Sequence, residues 1–263
     1  MVSRLCISNQ KGGVGKSTIC IQTAFYLTQK LGLRVLVIDM DSQGNTSSRL
    51  APRSVDEAGR TTYGFTGTRS YELFSPTLDK EITVTRCPMG MDLIHAIKND
   101  TMLSDMEAVE LGRVVFPAKH LKEIEKNYDY VLIDCPPAVG RQLVAALIIA
   151  THVVCPIKLS GFAVDGVEGL LKTILATKRN HNENLSLLGL FINDMDRSVN
   201  HAQSQELLES QIGGLLLKNK IMHRPPLDRA TTLGIPIWEL PYGHVASGEV
   251  IALIEEIIEK INN

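Results

Sequence analysis

Apolar residues in this chain gather into short continuous runs, separated by longer stretches in which they recur every three or four positions. The runs fall at residues 4–8, 34–39, 128–134, 152–157 and 185–193, and runs of that length bounded by polar turns predict strands. Val35-Leu-Val-Ile38 and Val131-Leu-Ile133 show no alternation with polar residues, which predicts central strands of a sheet buried on both faces. Residues 17–31, with Ile21, Ala24, Phe25, Tyr26 and Leu27, predict a helix directly after the first strand. Residues 248–263 set Ile251, Leu253, Ile254, Ile257, Ile258 and Ile261 against Glu249, Glu255, Glu256 and Glu259, predicting an amphipathic closing helix.

Strands alternating with helices imply an α/β fold, a single doubly wound and mostly parallel sheet covered on both faces, with residues 1–263 as one domain. Two stretches break the alternation. Residues 51–70 hold Pro52, three glycines, four threonines and the arginines Arg53, Arg60 and Arg69, and predict a mobile surface loop. Residues 100–127 look helical but contain Pro117, so two helices or a kinked one are expected.

Composition narrows the function by exclusion. At 44% hydrophobic and 21% charged residues, with a net charge of -2, the chain is a globular protein and not a globally basic nucleic-acid binder, although a local basic patch stays possible. Its start lacks the apolar core of a secretory signal and no run is long enough to span a bilayer, so a cytoplasmic location is expected. Cys6, Cys20, Cys87, Cys135 and Cys155 contain no Cys-x-x-Cys pair, which points to small buried thiols in a reducing compartment.

The chemistry is concentrated in Gln10-Lys-Gly-Gly-Val-Gly-Lys-Ser-Thr18. A phosphate-binding loop needs Gly, four residues, then Gly-Lys-Ser/Thr, so that backbone N–H groups and the lysine converge on phosphate oxygens. Gly15, Lys16 and Ser17 fit, while Gln10 fills the first glycine slot and Gly12 and Gly13 lie inside the loop. A strand before it and a helix after it aim the positive helix end at the phosphates, with Ser17 placed to ligate Mg²⁺. Two more motifs close strands: Asp39-Met-Asp41-Ser-Gln43-Gly-Asn45 and Asp134-Cys-Pro-Pro137. Carboxylates at those strand ends suit the metal and water of phosphoryl transfer.

Together, Lys11-Gly-Gly-Val-Gly-Lys-Ser-Thr18, Asp39-x-Asp41-x-Gln43-Gly-Asn45 and Asp134-x-Pro-Pro137 resemble the ParA family of partition ATPases, in the deviant-Walker group that includes MinD and the nitrogenase iron protein. The likeness runs from the first strand to the last helix and weakens between about residues 51 and 89. It implies ATP and Mg²⁺ as cofactors and nucleotide contacts from Lys11, Gly12, Gly13, Val14, Gly15, Lys16, Ser17 and Thr18, with Asn193 at the adenine. It implies Lys11 acting across an ATP-sandwiched homodimer on the partner's phosphates, Lys16 on its own, Asp41 orienting the attacking water, and Ser17, Asp39 and Asp134 supporting the metal. A second positive charge at a loose transition state stabilises the charge spread over the phosphate oxygens.

The same resemblance implies non-specific DNA binding by the ATP dimer, nucleoid association and a centromere-binding ParB-type partner. The candidate DNA contact is residues 218–229, with Lys218, Lys220, Arg224 and Arg229; it resembles the family's Ile-Pro-Arg-Asn-Val-Arg stretch and departs from it at Pro226. An N-terminal helix-turn-helix extension is not expected. A membrane role like MinD's is disfavoured by the acidic closing helix, and an iron-protein role by the cysteine contexts. The alternative is a ParA-like switch that positions a protein cargo with little DNA role.

Overall fold

The structure is a computed structural model that describes residues 2–78, 80–108, 110–138, 140–159 and 163–263. Its strands are β1 (Ser3–Ile7), β2 (Val35–Asp39), β3 (Arg53–Val55), β4 (Thr61–Tyr63), β5 (Thr85–Arg86), β6 (Asp92–Ile94), β7 (Tyr130–Asp134), β8 (His152–Lys158) and β9 (Ser186–Asn193). Its α-helices are α1 (Lys16–Phe25), α2 (Asn45–Leu50), α3 (Thr101–Ser104), α4 (Phe116–Ile124), α5 (Arg141–Ile149), α6 (Ala163–Asn180), α7 (Val199–Ile212), α8 (Pro225–Leu233) and α9 (His244–Asn262).

The main sheet runs β5-β6-β2-β7-β1-β8-β9. Every pairing in it is parallel except β5 with β6. Alternate strand residues feed two apolar cores. Cys6, Leu36, Ile38, Val131 and Ile133 enter one, and Leu5, Ile7, Val35, Val37 and Leu132 enter the other. Both faces are therefore dry, which explains why the central strands read as unbroken apolar runs. Register then sets the chemistry. Ile7, the last residue of β1, and Asp39, the last of β2, both stand level with Asp134 of β7. The phosphate loop and both strand-end acid motifs thus leave the sheet side by side at its carboxyl edge, where open α/β sheets bind ligands.

The helix expected at residues 17–31 is α1, which gives way to a π-helical turn at Tyr26–Lys30. Residues 100–127 break into α3, α4 and short 3₁₀ turns, and Pro117 sits in the first turn of α4. Its missing N–H costs nothing there, so it starts a helix and does not kink one. Residues 51–70 carry a two-stranded hairpin. β3 and β4 pair antiparallel, with Asp56 Oδ1 accepting the Ala58 and Arg60 N–H groups at the turn. The arginines of that stretch are all engaged: Arg53 donates to the Leu233 carbonyl, Arg60 pairs with Asp56 and Arg69 with the buried Asp100. All five cysteines are buried free thiols, as their apolar surroundings implied.

Candidate active site

The loop between β1 and α1 is held from both sides. Asn9 Oδ1 accepts the Lys11 N–H at 2.9 Å and its Nδ2 donates to the Pro156 carbonyl at 2.5 Å, tying the loop to β8. Asn193, at the end of β9, donates Nδ2 to the Val14 carbonyl at 2.8 Å, and its buried Oδ1 has no hydrogen-bond partner. Gly15 caps α1 at φ 94°, and a Cβ there would lie 2.2 Å from Asn193 Nδ2. Only glycine satisfies that backbone angle and that approach together. Lys16 is buried, with Nζ donating to the Lys11 carbonyl at 3.1 Å. Burial lowers its pKa, while Asp134, Cys135 and Asp41 pull the other way. A buried ammonium hydrogen-bonded to a main-chain carbonyl suits a polyphosphate oxygen.

The acids differ in what they have left to offer. Asp39 is fully buried and committed: Oδ2 accepts the Ser47 N–H at 2.8 Å and the Ser47 hydroxyl at 2.7 Å, and Oδ1 accepts the Asp41 N–H at 3.1 Å. Burial and the nearby Asp134 push its pKa up. Asp41 reaches the cleft, with Oδ1 accepting the Gln43 N–H at 2.9 Å. Its pKa is raised by burial, which the Gln43 N–H and Lys16 offset. Asp134 accepts the Thr46 hydroxyl on Oδ2 at 2.7 Å, while its buried Oδ1 has no hydrogen-bond partner. Burial lifts its pKa to about 6 against the Ser17 and Thr46 hydroxyls.

An unpartnered buried carboxylate oxygen beside a P-loop serine hydroxyl is the donor set a hard divalent cation takes. The residues therefore fit Mg²⁺, and Ser17 and Asp134 are the ones that could hold it. Bound there, Mg²⁺ would supply charge neutralisation at the phosphate oxygens.

These groups open into a cleft of about 520 Å³, whose walls include Gly12, Gly13, Lys16, Ser17, Thr18, Asp41, Asn193 and Arg224. Of the residues expected at DNA, only Arg224 lines this cleft. Its guanidinium pairs with Glu249 at 2.6 Å. Lys220 Nζ donates to Gln205 at 3.1 Å, and the Lys218 N–H is held by Glu256 at 2.8 Å. Arg229 is exposed on α8. Of the four, Arg224 has its charge paired within the molecule.

Sequence reasoning missed Thr46 and Ser47, although two hydroxyls directly after Gln43-Gly-Asn45, at the start of a helix, were a readable signal. It also missed Lys158, Asp194 and His223 in the cleft wall. Lys158 pairs with Asp194, which also accepts from His223 at 2.5 Å. The Lys158 pairing depends on β8–β9 register, which places Lys158 opposite Asn193 and left no mark in the sequence.

Residues 2–187 match the AAA-domain family. The chromosome-partitioning ATPase Soj of Thermus thermophilus is 30% identical over 99% of this chain and 97% of its own. The chromosome partitioning protein ParA of Caulobacter vibrioides is 31% identical, covering 97% of this chain and 94% of that protein. Among solved structures, a cobyrinic acid a,c-diamide synthase from Mycobacterium smegmatis with bound ADP and magnesium superposes with a TM-score of 0.74 at 26% identity, covering 97% of this chain and 95% of that one. A deviant phosphate loop, a cleft built for ATP and Mg²⁺ and full-length likeness to partitioning proteins agree: the chain belongs to the ParA/Soj family of partition ATPases.

Proposed function

We propose that ATP and Mg²⁺ join two copies of this chain face to face across the cleft, and that the joined pair binds duplex DNA without sequence preference at the nucleoid. A centromere-bound ParB-type partner then stimulates hydrolysis, the pair separates, and the DNA is released. In this reading Lys16 serves the phosphates of its own site, Lys11 those of the partner, and Asp41 orients the attacking water. Asn193 braces the loop beside the base. Because the paired and single states differ in DNA affinity, hydrolysis converts nucleotide state into position.

The observation that carries the proposal is the convergence of Lys16, Ser17 and Asp41 on one open cleft at the carboxyl edge of the sheet, with the buried Asp134 acting on Lys16 from behind it. A specific observation favours a second reading, a switch that positions a protein cargo. The cations expected at DNA are partly spent inside the molecule, above all Arg224 on Glu249.

Binding of non-specific duplex to the protein with ATP, with ADP and without nucleotide, at two salt concentrations, separates the two. Tight, salt-sensitive binding with ATP alone supports DNA partition. Absence of binding in every state supports the cargo switch.

A further inference from the structure

The two strand-end carboxylates stand level on adjacent strands, Asp39 on β2 and Asp134 on β7, and both are fully buried. Charge alone would make them equivalent candidates for Mg²⁺. The first turn of α2 treats them differently. Ser47 gives both its N–H and its hydroxyl to Asp39 Oδ2, and its oxygen accepts the Ala96 N–H at 2.9 Å, which anchors it to the residues just after β6. With Oδ1 taken by the Asp41 N–H, Asp39 has an engaged donor on each oxygen. Thr46, completely buried one residue earlier, gives a single hydroxyl to Asp134 Oδ2 and leaves Oδ1 open.

We propose that Thr46 and Ser47 sort the two carboxylates: Ser47 removes Asp39 from the metal shell, and Thr46 is the positioning residue that turns the free oxygen of Asp134 towards the metal beside Ser17. The inference rests on the assignment of the cleft to ATP and Mg²⁺. It assigns metal support to Ser17 and Asp134 and makes Asp39 the anchor of the turn that carries Asp41. A hydroxyl that fixes a ligating carboxylate belongs to the outer shell of a metal site, where loss of one partner weakens metal affinity about 10- to 100-fold.

The test is equilibrium titration of a fluorescent ADP analogue with and without Mg²⁺, on wild type, Thr46→Val and Thr46→Ser, with a far-UV circular dichroism spectrum of each. Thr46→Val is expected to bind the Mg²⁺-free nucleotide within about twofold of wild type and to need about tenfold more Mg²⁺ for half of the metal-induced tightening. Thr46→Ser, which keeps the hydroxyl, is expected to hold the wild-type Mg²⁺ response. If Thr46→Val does not fold, Thr46→Ala against Thr46→Ser makes the same comparison. An unchanged Mg²⁺ requirement in the folded variant without the hydroxyl overturns the proposal. So does a variant that loses nucleotide binding equally with and without the metal, because that marks a purely structural residue. Failure of wild type to bind the nucleotide at all would strike the cleft's assignment instead.

Discussion

Two regions of this molecule carry dense charge, and they treat it in opposite ways. At the carboxyl edge of the sheet, Lys16, Asp41 and Asp134 are withdrawn from water with their mutual demands only partly met. Lys16 has a main-chain carbonyl for a partner and Asp134 keeps an unpartnered oxygen. In residues 218–224, beside α9, the carboxylates are met, Glu249 by the Arg224 guanidinium and both Glu249 and Glu256 by main-chain N–H groups. Glu256 holds the Lys218 and Asn219 N–H groups and Glu249 holds Arg224 and the Met222 N–H. The acidic face of the closing helix therefore clamps this segment. Unmet charge in a dry site is a standing cost that a ligand can relieve, whereas matched charge at a surface is close to neutral in energy. The first region holds unmet charge for a ligand, and in the second the charge of Arg224 becomes available only if its pairing with Glu249 is undone.

The difference breaks most clearly at Lys16. Lys16→Ala should reduce ATP turnover by at least about 10²-fold, measured as phosphate release, with the far-UV spectrum unchanged. A smaller loss would mean that the cleft does not place this lysine on the phosphates.

Asp134→Asn is the next largest effect, and it separates function from stability. Burial raises this carboxyl to about 6 in the folded protein, so between the ordinary carboxylate range and pH 6 the folded state holds a proton that the unfolded chain has released. The group's contribution to stability therefore falls as pH rises through that window and is lowest above it. The nucleotide-free Asp134→Asn variant should be more stable than wild type at pH 7, by on the order of 2 kcal/mol. The gap should close towards pH 4. Urea unfolding midpoints across that range check it, and a variant less stable than wild type at pH 7 would show that the carboxylate is not strained by burial. The same variant should lose the Mg²⁺ response.

The contrast also explains what could be read before the structure. The core strands were legible because burial on both faces leaves unbroken apolar runs. The phosphate loop was legible because Gly15 must be glycine at its angle and its contact with Asn193. The hydroxyls of Thr46 and Ser47 could be seen in the sequence, but which carboxylate each would meet could not, since that follows from the level placement of Asp39 with Asp134 by strand register. The hairpin of residues 53–63 was hidden by its exposure: with no buried face, β3 and β4 show no hydrophobic alternation. The pairing of Arg224 was not legible because composition counts charges but not their partners, and Glu249 lies 25 residues away along the chain.

Glu249→Gln sharpens the comparison with the smallest change. The Arg224–Glu249 pair is partly exposed on both sides, so removing its charge should cost folding stability no more than about 1 kcal/mol. Its consequence for DNA is a different matter. If residues 218–229 meet DNA in the ATP state, a guanidinium released from Glu249 becomes available to a phosphate. Binding to non-specific duplex should then tighten, and the slope of log affinity against log salt should steepen by about one. Titrations of wild type and variant with ATP at three salt concentrations read both quantities. Equal affinities and equal slopes would show that Arg224 stays turned to the nucleotide cleft, and that any DNA contact is made by other cations. A steeper slope would identify α9 as the element whose grip on this segment sets DNA affinity.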